Sequence, residues 1–281
     1  MPVPGGEGAP AWVHVAPLPD DYRGAYRRDD PLAGDKYAAD VAAMVRGLER
    51  DGRGLAGFIA ETCPSVGGQL MLPPGYLAKV YESVRSAGGI CIADEVQTGL
   101  GRMGTHFWAF EAHGVVPDVV VMGKPLGNGH PLAAVVTTRE IADSFDNGME
   151  YFSTFGGNNV SCAVGLAVLD VLRDEGLQDH ALVVGERMLR GLRALAQRHA
   201  VIGDVRGSGL FLGVELVRDR ETRAPDGEAA AYVANRMRES GILLGTDGPH
   251  HNVVKIRPPM PFDGADADRL VESLDRVLAE M

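Results

Sequence analysis

The chain has 281 residues, 45% hydrophobic and 23% charged, with a formal net charge of −11. That ordinary globular composition excludes intrinsic disorder, and no apolar run nears the ~18 residues of a membrane span. The acidic balance makes a phosphate backbone, and so nucleic acid, a poor partner. At roughly 150 residues per domain the length suggests about two domains.

In chain order, Met1–Pro10 has neither the basic nor the apolar stretch of a targeting signal. Residues 1–11 read as an unstructured lead-in, and Trp12–Tyr26 as extended and Pro-rich. The spacing of Val41, Met44, Val45 and Leu48 predicts a helix over Tyr37–Arg50. Leu55–Ala60 reads as a buried strand, Pro74–Ala87 as a helix stopped by Gly88-Gly89, and Gly89–Val96 as a second strand. Val119–Met122 and Leu132–Thr138 read as a third and a fourth. Continuous apolar strands separated by helices predict an α/β fold with a largely parallel sheet covered on both faces.

The pattern changes after Asn159. Asn159–Asp174 and Leu177–His199 read as long amphipathic helices, and Val205–Val217 as strand-like sequence around Gly207 and Gly209. A helix over Gly227–Ser240, a strand over Val253–Arg257 and a helix over Ala265–Ala279 complete the chain. The expected division is residues 12–174 for one domain and 175–281 for a second, α+β domain. No internal repeat is visible.

Cys63, Cys91 and Cys162 are too few and too scattered for a disulfide framework or a zinc site. A reducing cytoplasm fits, and no metal is expected. Glycine is unusually frequent, at 37 residues, which implies many tight turns and close backbone approaches. Lysine is scarce. Only Lys36, Lys79, Lys124 and Lys255 occur, so lysine chemistry has four candidates.

Asp94 ends the apolar run Gly89–Ala93. Ligands of open parallel sheets bind beyond the carboxyl ends of the strands, and the pair Asp94-Glu95 is costly there unless something positive meets it. The alternative is a loop carboxylate capping a helix. Lys124 follows the third strand at the same level, flanked by Gly123 and Gly127 and followed by Pro125, which disfavours a helical lysine. A surface charge is the bland reading for any lone lysine. Position at a strand end, opposite an acid on a neighbouring strand, favours chemistry for this one. Gly99-Leu100-Gly101-Arg102-Met103-Gly104 matches G-x-G-x-x-G, but two acids precede it and an aromatic stretch follows. It reads as a turn. An acid able to hold a pyridinium nitrogen and a lysine able to form a Schiff base together suggest pyridoxal phosphate (PLP).

The string Ala93-Asp94-Glu95-Val96-Gln97-Thr98-Gly99-Leu100-Gly101-Arg102-Met103-Gly104 resembles the signature of class III (ω-type) aminotransferases. Pro117-Asp118, Gly123-Lys124-Pro125, Gly127-Asn128-Gly129, Ser153–Asn158 and Arg206–Leu210 continue it in order. The resemblance runs from about Trp12 to the C-terminus. It implies the fold type I of PLP-dependent transferases, a partial large domain followed by a C-terminal small domain. Four further stretches, Pro19–Gly24, Ser65–Gln69, Gly148–Tyr151 and Asp247–His250, resemble the ethanolamine-phosphate and phosphohydroxylysine phospho-lyase branch.

The resemblance implies roles. Asp94 pairs with the pyridinium nitrogen, Gln97 lies near the ring hydroxyl, and Lys124 forms the Schiff base. Thr154 bonds the cofactor phosphate from a partner subunit, so a homodimer is implied. Glu61 sits near the substrate's carboxylate or phosphate, and Arg257 binds a carboxylate through its planar fork. A surface ion pair is the alternative for Arg257. The family's phosphate-cradling helix start and ring-stacking aromatic would precede Trp12, so the chain reads as the C-terminal portion of an enzyme. The expected function is a PLP-dependent transamination of a small amine or amino acid. The alternatives are phosphate elimination from O-phosphoethanolamine or phosphohydroxylysine, and a non-catalytic remnant that pairs with a full-length homologue.

Overall fold

The computed structural model describes residues 8–281. Of the lead-in expected over 1–11, Met1–Glu7 lies outside the described residues. Two compact units are present. One holds the residues up to Phe58 together with Leu72–Cys91, and the other Ile59–Met71 with Ile92–Met281. These boundaries do not follow the expected 174/175 division. We keep that division as a proposal, resting on the two separate sheets described below.

In the first unit, helix α1 (Ala33–Arg50) packs on helix α2 (Tyr76–Ser86). Tyr37, Val41 and Val45 of α1 and Leu77, Val80 and Val84 of α2 are buried. Gly34 allows the close approach, because a Cβ there would lie 2.0 Å from the Pro74 carbonyl oxygen. The Tyr37 hydroxyl donates to the Asp20 carbonyl at 2.9 Å, tying the extended N-terminal segment to α1.

The first sheet has the order β1 (Gly57–Glu61), β2 (Ile90–Asp94), β3 (Val119–Met122), β4 (Ala134–Thr137). β2 and β3 run parallel with Ile92 opposite Val119 and Asp94 opposite Val121. β4 runs antiparallel to β3, so the sheet is mixed. Its covering is also less complete than the apolar runs suggested. Ile59, Val135 and Val136 are 64%, 64% and 55% exposed. The short helix α3 (Arg139–Phe145) buries none of its residues. Helix α4 (Asn159–Asp174) starts on an N-cap, with the Asn158 side chain accepting from the Ser161 N–H at 2.9 Å.

The rest of the second unit is built on an antiparallel sheet. Its strands are β5 (Ile202–Ser208), β6 (Phe211–Asp219), β7 (Ala224–Pro225), β8 (Gly245–Asp247) and β9 (Val253–Ile256). The order is β5-β6-β9-β8, with β7 on β6. Helices α5 (Leu177–Arg198), α6 (Gly227–Glu239) and α7 (Gly264–Ala279) share one core with it. Met188, Leu192, Leu195, Leu212, Val254 and Ile256 are fully buried there. Each such side chain contributes about 1.5–3 kcal/mol. No helix of the described residues is long and apolar enough to cross a membrane.

Candidate active site

The candidate site residues Glu61, Asp94, Gln97, Lys124, Thr154 and Arg257 all lie in the second unit. Glu61 terminates β1, Asp94 terminates β2, and Lys124 comes two residues after β3. The parallel register of β2 and β3 therefore delivers Asp94 and Lys124 to the same end of the sheet. Past Asp94 the chain turns sharply, with the Val96 N–H donating to Asp94 Oδ1 at 3.0 Å.

The turn is held by Glu95, which is 1% exposed. Its carboxylate accepts from the hydroxyls of Thr62 and Thr98 at 2.8 and 2.9 Å, and from the N–H groups of Ala109 and Phe110, each at 3.0 Å. Thr62 adjoins Glu61, so one buried carboxylate fixes the ends of β1 and β2. Burial raises its pKa above the usual carboxylate value, and the four hydrogen bonds act against that shift.

Lys124 adopts φ 41°, an uncommon conformation for a residue with a side chain. Gly123 before it is extended, and Lys124 itself opens a short 3-10 turn that runs to Gly127. The other three lysines are each held by a carboxylate. Lys36 meets Asp30 at 2.5 Å, Lys79 meets Asp35 at 2.6 Å and Lys255 meets Asp247 at 2.6 Å. Lys124 is exposed and forms no ion pair with any described residue.

Lys124, Gln97 and Arg257 line one cleft of about 370 Å³, together with Arg102. Gln97 Oε1 is buried there without a hydrogen-bond partner. An orphaned acceptor and a free amine on the same cleft suit a group that brings a carbonyl and a hydrogen-bond donor. A pyridoxal ring with its aldehyde and phenolic hydroxyl is such a group, so the residues present fit PLP. Glu61 does not line that cleft, yet it feels Asp94, Lys124 and Lys255. Burial raises its pKa, and Asp94 adds to the rise. The Ser65 N–H, Lys124 and Lys255 oppose it. Thr154 is fully apart from the cleft lining, in an exposed stretch around Ser153–Asn158. The Gly99–Gly104 stretch is a turn, as expected. Gly104 has φ 73°, and a Cβ there would lie 2.7 Å from Leu182 Cα.

Two features escaped the sequence reading. Ser65–Gln69 and Asp247–His250, noted separately in the sequence, meet in space. The Gly248 N–H donates to the Val66 carbonyl at 3.1 Å, and Gln69 Nε2 donates to Asp247 Oδ2 at 2.9 Å. Asp247 also takes Lys255 Nζ. The second is a buried ionic group. Arg206 Nη1 donates to Asp204 at 2.9 Å and to Glu215 at 2.7 Å, while its Nε and Nη2 donate to the Gly68 carbonyl. Burial opposes the charge, but Glu215 and Asp204 raise the Arg206 pKa above its usual value. The signal available in the sequence was only alternation. Asp204 and Arg206 are two apart on a strand and so share a face.

The fold is that of PLP-dependent transferases of fold type I. A phospholyase from Arthrobacter, solved in complex with phosphoethanolamine, has a TM-score of 0.88 and 41% identity, covering 93% of this chain and 62% of its own. An amine transaminase from an uncultivated Pseudomonas species in its PLP-bound form gives a TM-score of 0.85 and 31% identity, covering 94% of this chain and 60% of its own.

The family described as aminotransferase class-III matches residues 6–278, and the chain belongs to that family. Pyridoxal phosphate is the cofactor that membership indicates. An alanine–glyoxylate aminotransferase 2-like protein of Drosophila melanogaster is 50% identical over 99% of this chain and 58% of its own length. An ethanolamine-phosphate phospho-lyase homolog of Caenorhabditis elegans is 45% identical over 97% of this chain and 61% of its own. The chain thus spans about three-fifths of the relatives it matches.

Proposed function

We propose that the chain carries the cofactor-attaching and substrate-binding residues of a PLP-dependent aminotransferase acting on a small amine or amino acid. The observation that carries this reading is the isolation of Lys124, the lysine without a carboxylate partner, at a strand end on the same cleft as an orphaned acceptor. When bound, the cofactor supplies an electron sink for the bonds at the substrate's amine-bearing carbon.

Lys124 holds the cofactor through its amine, then takes up and returns the proton at that carbon. Asp94 keeps a proton on the ring nitrogen. Gln97 Oε1 accepts from the ring hydroxyl. Arg257 orients the anionic end of the substrate, and Glu61, whose burial favours the protonated carboxyl, stands near that end as a hydrogen-bond donor. Thr154 serves the cofactor phosphate of a second copy, and its exposure away from its own cleft supports that reading of a homodimer. Three free cysteines suit a reducing compartment such as the cytoplasm.

Borohydride reduction after incubation with PLP, followed by peptide mapping, tests the assignment. The tag is expected on Lys124. A tag on Lys36, Lys79 or Lys255 instead would overturn it.

A second reading is favoured by the likeness to the Arthrobacter phospholyase and by the meeting of Ser65–Gln69 with Asp247–His250. It is elimination of phosphate from O-phosphoethanolamine or phosphohydroxylysine. Phosphate release on these compounds, set against amino transfer to a keto acid, separates the two.

A further inference from the structure

Lys124, Arg102 and Arg257 line the cleft, and no carboxylate does. Arg102 is anchored rather than loose. Its Nη1 donates to the carbonyls of Leu210 and Pro258 at 3.1 and 2.8 Å, and its own carbonyl accepts from the Leu210 N–H at 2.9 Å. Those partners are neutral dipoles. No ion pair to any described residue offsets the charge, and Nε and Nη2 have no described partner. A guanidinium offers five N–H donors in a fixed fork, so one arm is spent on the backbone and the other is available.

The surroundings make an empty fork costly. Burial, and after it the Arg257 charge, lowers the Arg102 pKa to about 10. Burial also lowers that of Arg257, although Asp247 and Glu61 act against it. Two partly desolvated guanidiniums that feel one another, on a cleft with no carboxylate in its lining, are relieved by an anion that both can reach. Oxyanions match the planar fork of arginine in geometry as well as charge.

We infer that Arg102 is a second oxyanion-recognition residue of the Lys124 cleft, acting with Arg257 on the anionic end of the substrate. The inference rests on reading that cleft as the substrate site. Arg257 alone would offer one fork; Arg102, fixed by two carbonyls, supplies a pre-oriented second. The shared chemistry is an oxyanion, carried by a substrate phosphate or a substrate carboxylate.

The test uses the full chain with inorganic phosphate and acetate as probes, by calorimetric titration at constant ionic strength. Arg102→Gln keeps an N–H donor for the Leu210 and Pro258 carbonyls but removes the charge. Losing one charge-assisted hydrogen bond predicts phosphate binding weakened about tenfold or more. Arg102→Lys should recover part of that loss, because the charge returns without the fork. Arg139→Gln, whose parent side chain is 91% exposed, should bind as the parent does. Tighter binding of phosphate than of acetate assigns the site to a phosphate end, and the reverse to a carboxylate end.

A second measurement needs no variant. Phosphate should slow phenylglyoxal modification of Arg102 and Arg257, mapped by mass spectrometry, and leave Arg139 unaffected. The inference is overturned if the folded Arg102→Gln protein binds phosphate like the parent, if phosphate leaves the modification of Arg102 unchanged, or if the parent binds neither anion. Tagging of Lys124 by PLP is independent of these outcomes. A tag on Lys124 with no role for Arg102 sinks this inference alone, and no tag on Lys124 sinks the reading beneath it.

Discussion

Asp94 and Glu95 are adjacent in sequence but differ in surroundings. Asp94 keeps one oxygen on the Val96 N–H and belongs to the end of the sheet, whereas Glu95 is enclosed by four donors. In Glu95→Gln the amide nitrogen must face N–H and hydroxyl donors it cannot satisfy. At about 1–3 kcal/mol for a buried unsatisfied group, urea denaturation should show a loss of several kcal/mol. Glu61 has a raised pKa, so between its ordinary 4.5 and the raised value the native state binds the extra proton. Its contribution to stability is complete below 4.5 and is lost as pH rises through the folded pKa. Glu95 has the same sign. Glu61→Gln should therefore flatten, without abolishing, the fall of Tm with rising pH in that window. Thermal melts at a series of pH values check this. Asp94 and Lys124 were legible because each follows a recognisable apolar strand. Glu95 and Arg102 were not, because their partners Ala109, Leu210 and Pro258 are distant in sequence and only the fold brings them together.

At the scale of elements, β3 and α4 match the apolar spacing to the residue, and α1, α5 and α6 differ by a few positions at their ends. The seven-residue α3 buries nothing, so it left no apolar period to read. β8 is a three-residue strand of Gly, Thr and Asp, recognisable only through its pairing with β9. The single strand-like stretch expected over Val205–Val217 is two antiparallel strands, because Gly209 at φ 52° reverses the chain. That reversal is packed against α5. A Cβ on Gly185 would lie 2.1 Å from the Gly209 carbonyl oxygen, which is backbone and cannot swing aside. Gly185→Ala should cost about 1–3 kcal/mol through overpacking, seen as a lowered Tm. Arg206 is the electrostatic counterpart on the same hairpin. Arg206→Met removes the cation that Asp204 and Glu215 share in the interior, and a loss of about 3–5 kcal/mol is expected in denaturant titrations.

For the whole molecule, the informative surface is apolar. Met149, Tyr151, Phe152 and Phe155 are 79%, 76%, 77% and 82% exposed within one short segment. Isolated exposed apolar groups are ordinary, whereas a run of large ones marks a contact surface. Sedimentation velocity should show concentration-dependent self-association, reduced when Phe152 and Phe155 are both replaced by serine. A monomer at all concentrations would remove the basis for a homodimer. This surface was not legible beforehand, since periodicity cannot tell an aromatic run that is covered from one that is not.

The pairing of three lysines with carboxylates has a practical consequence for labelling. Among the described lysines, one presents an amine that an electrophile can approach without first breaking an ion pair. A paired ammonium must shed both a proton and a partner before it attacks, so aldehydes and activated esters at low excess should partition toward Lys124. Intact-mass measurement after limited labelling should then give a dominant singly modified species at that position. A fluorophore carried there would sit in the cleft itself, where its emission reports on whatever enters.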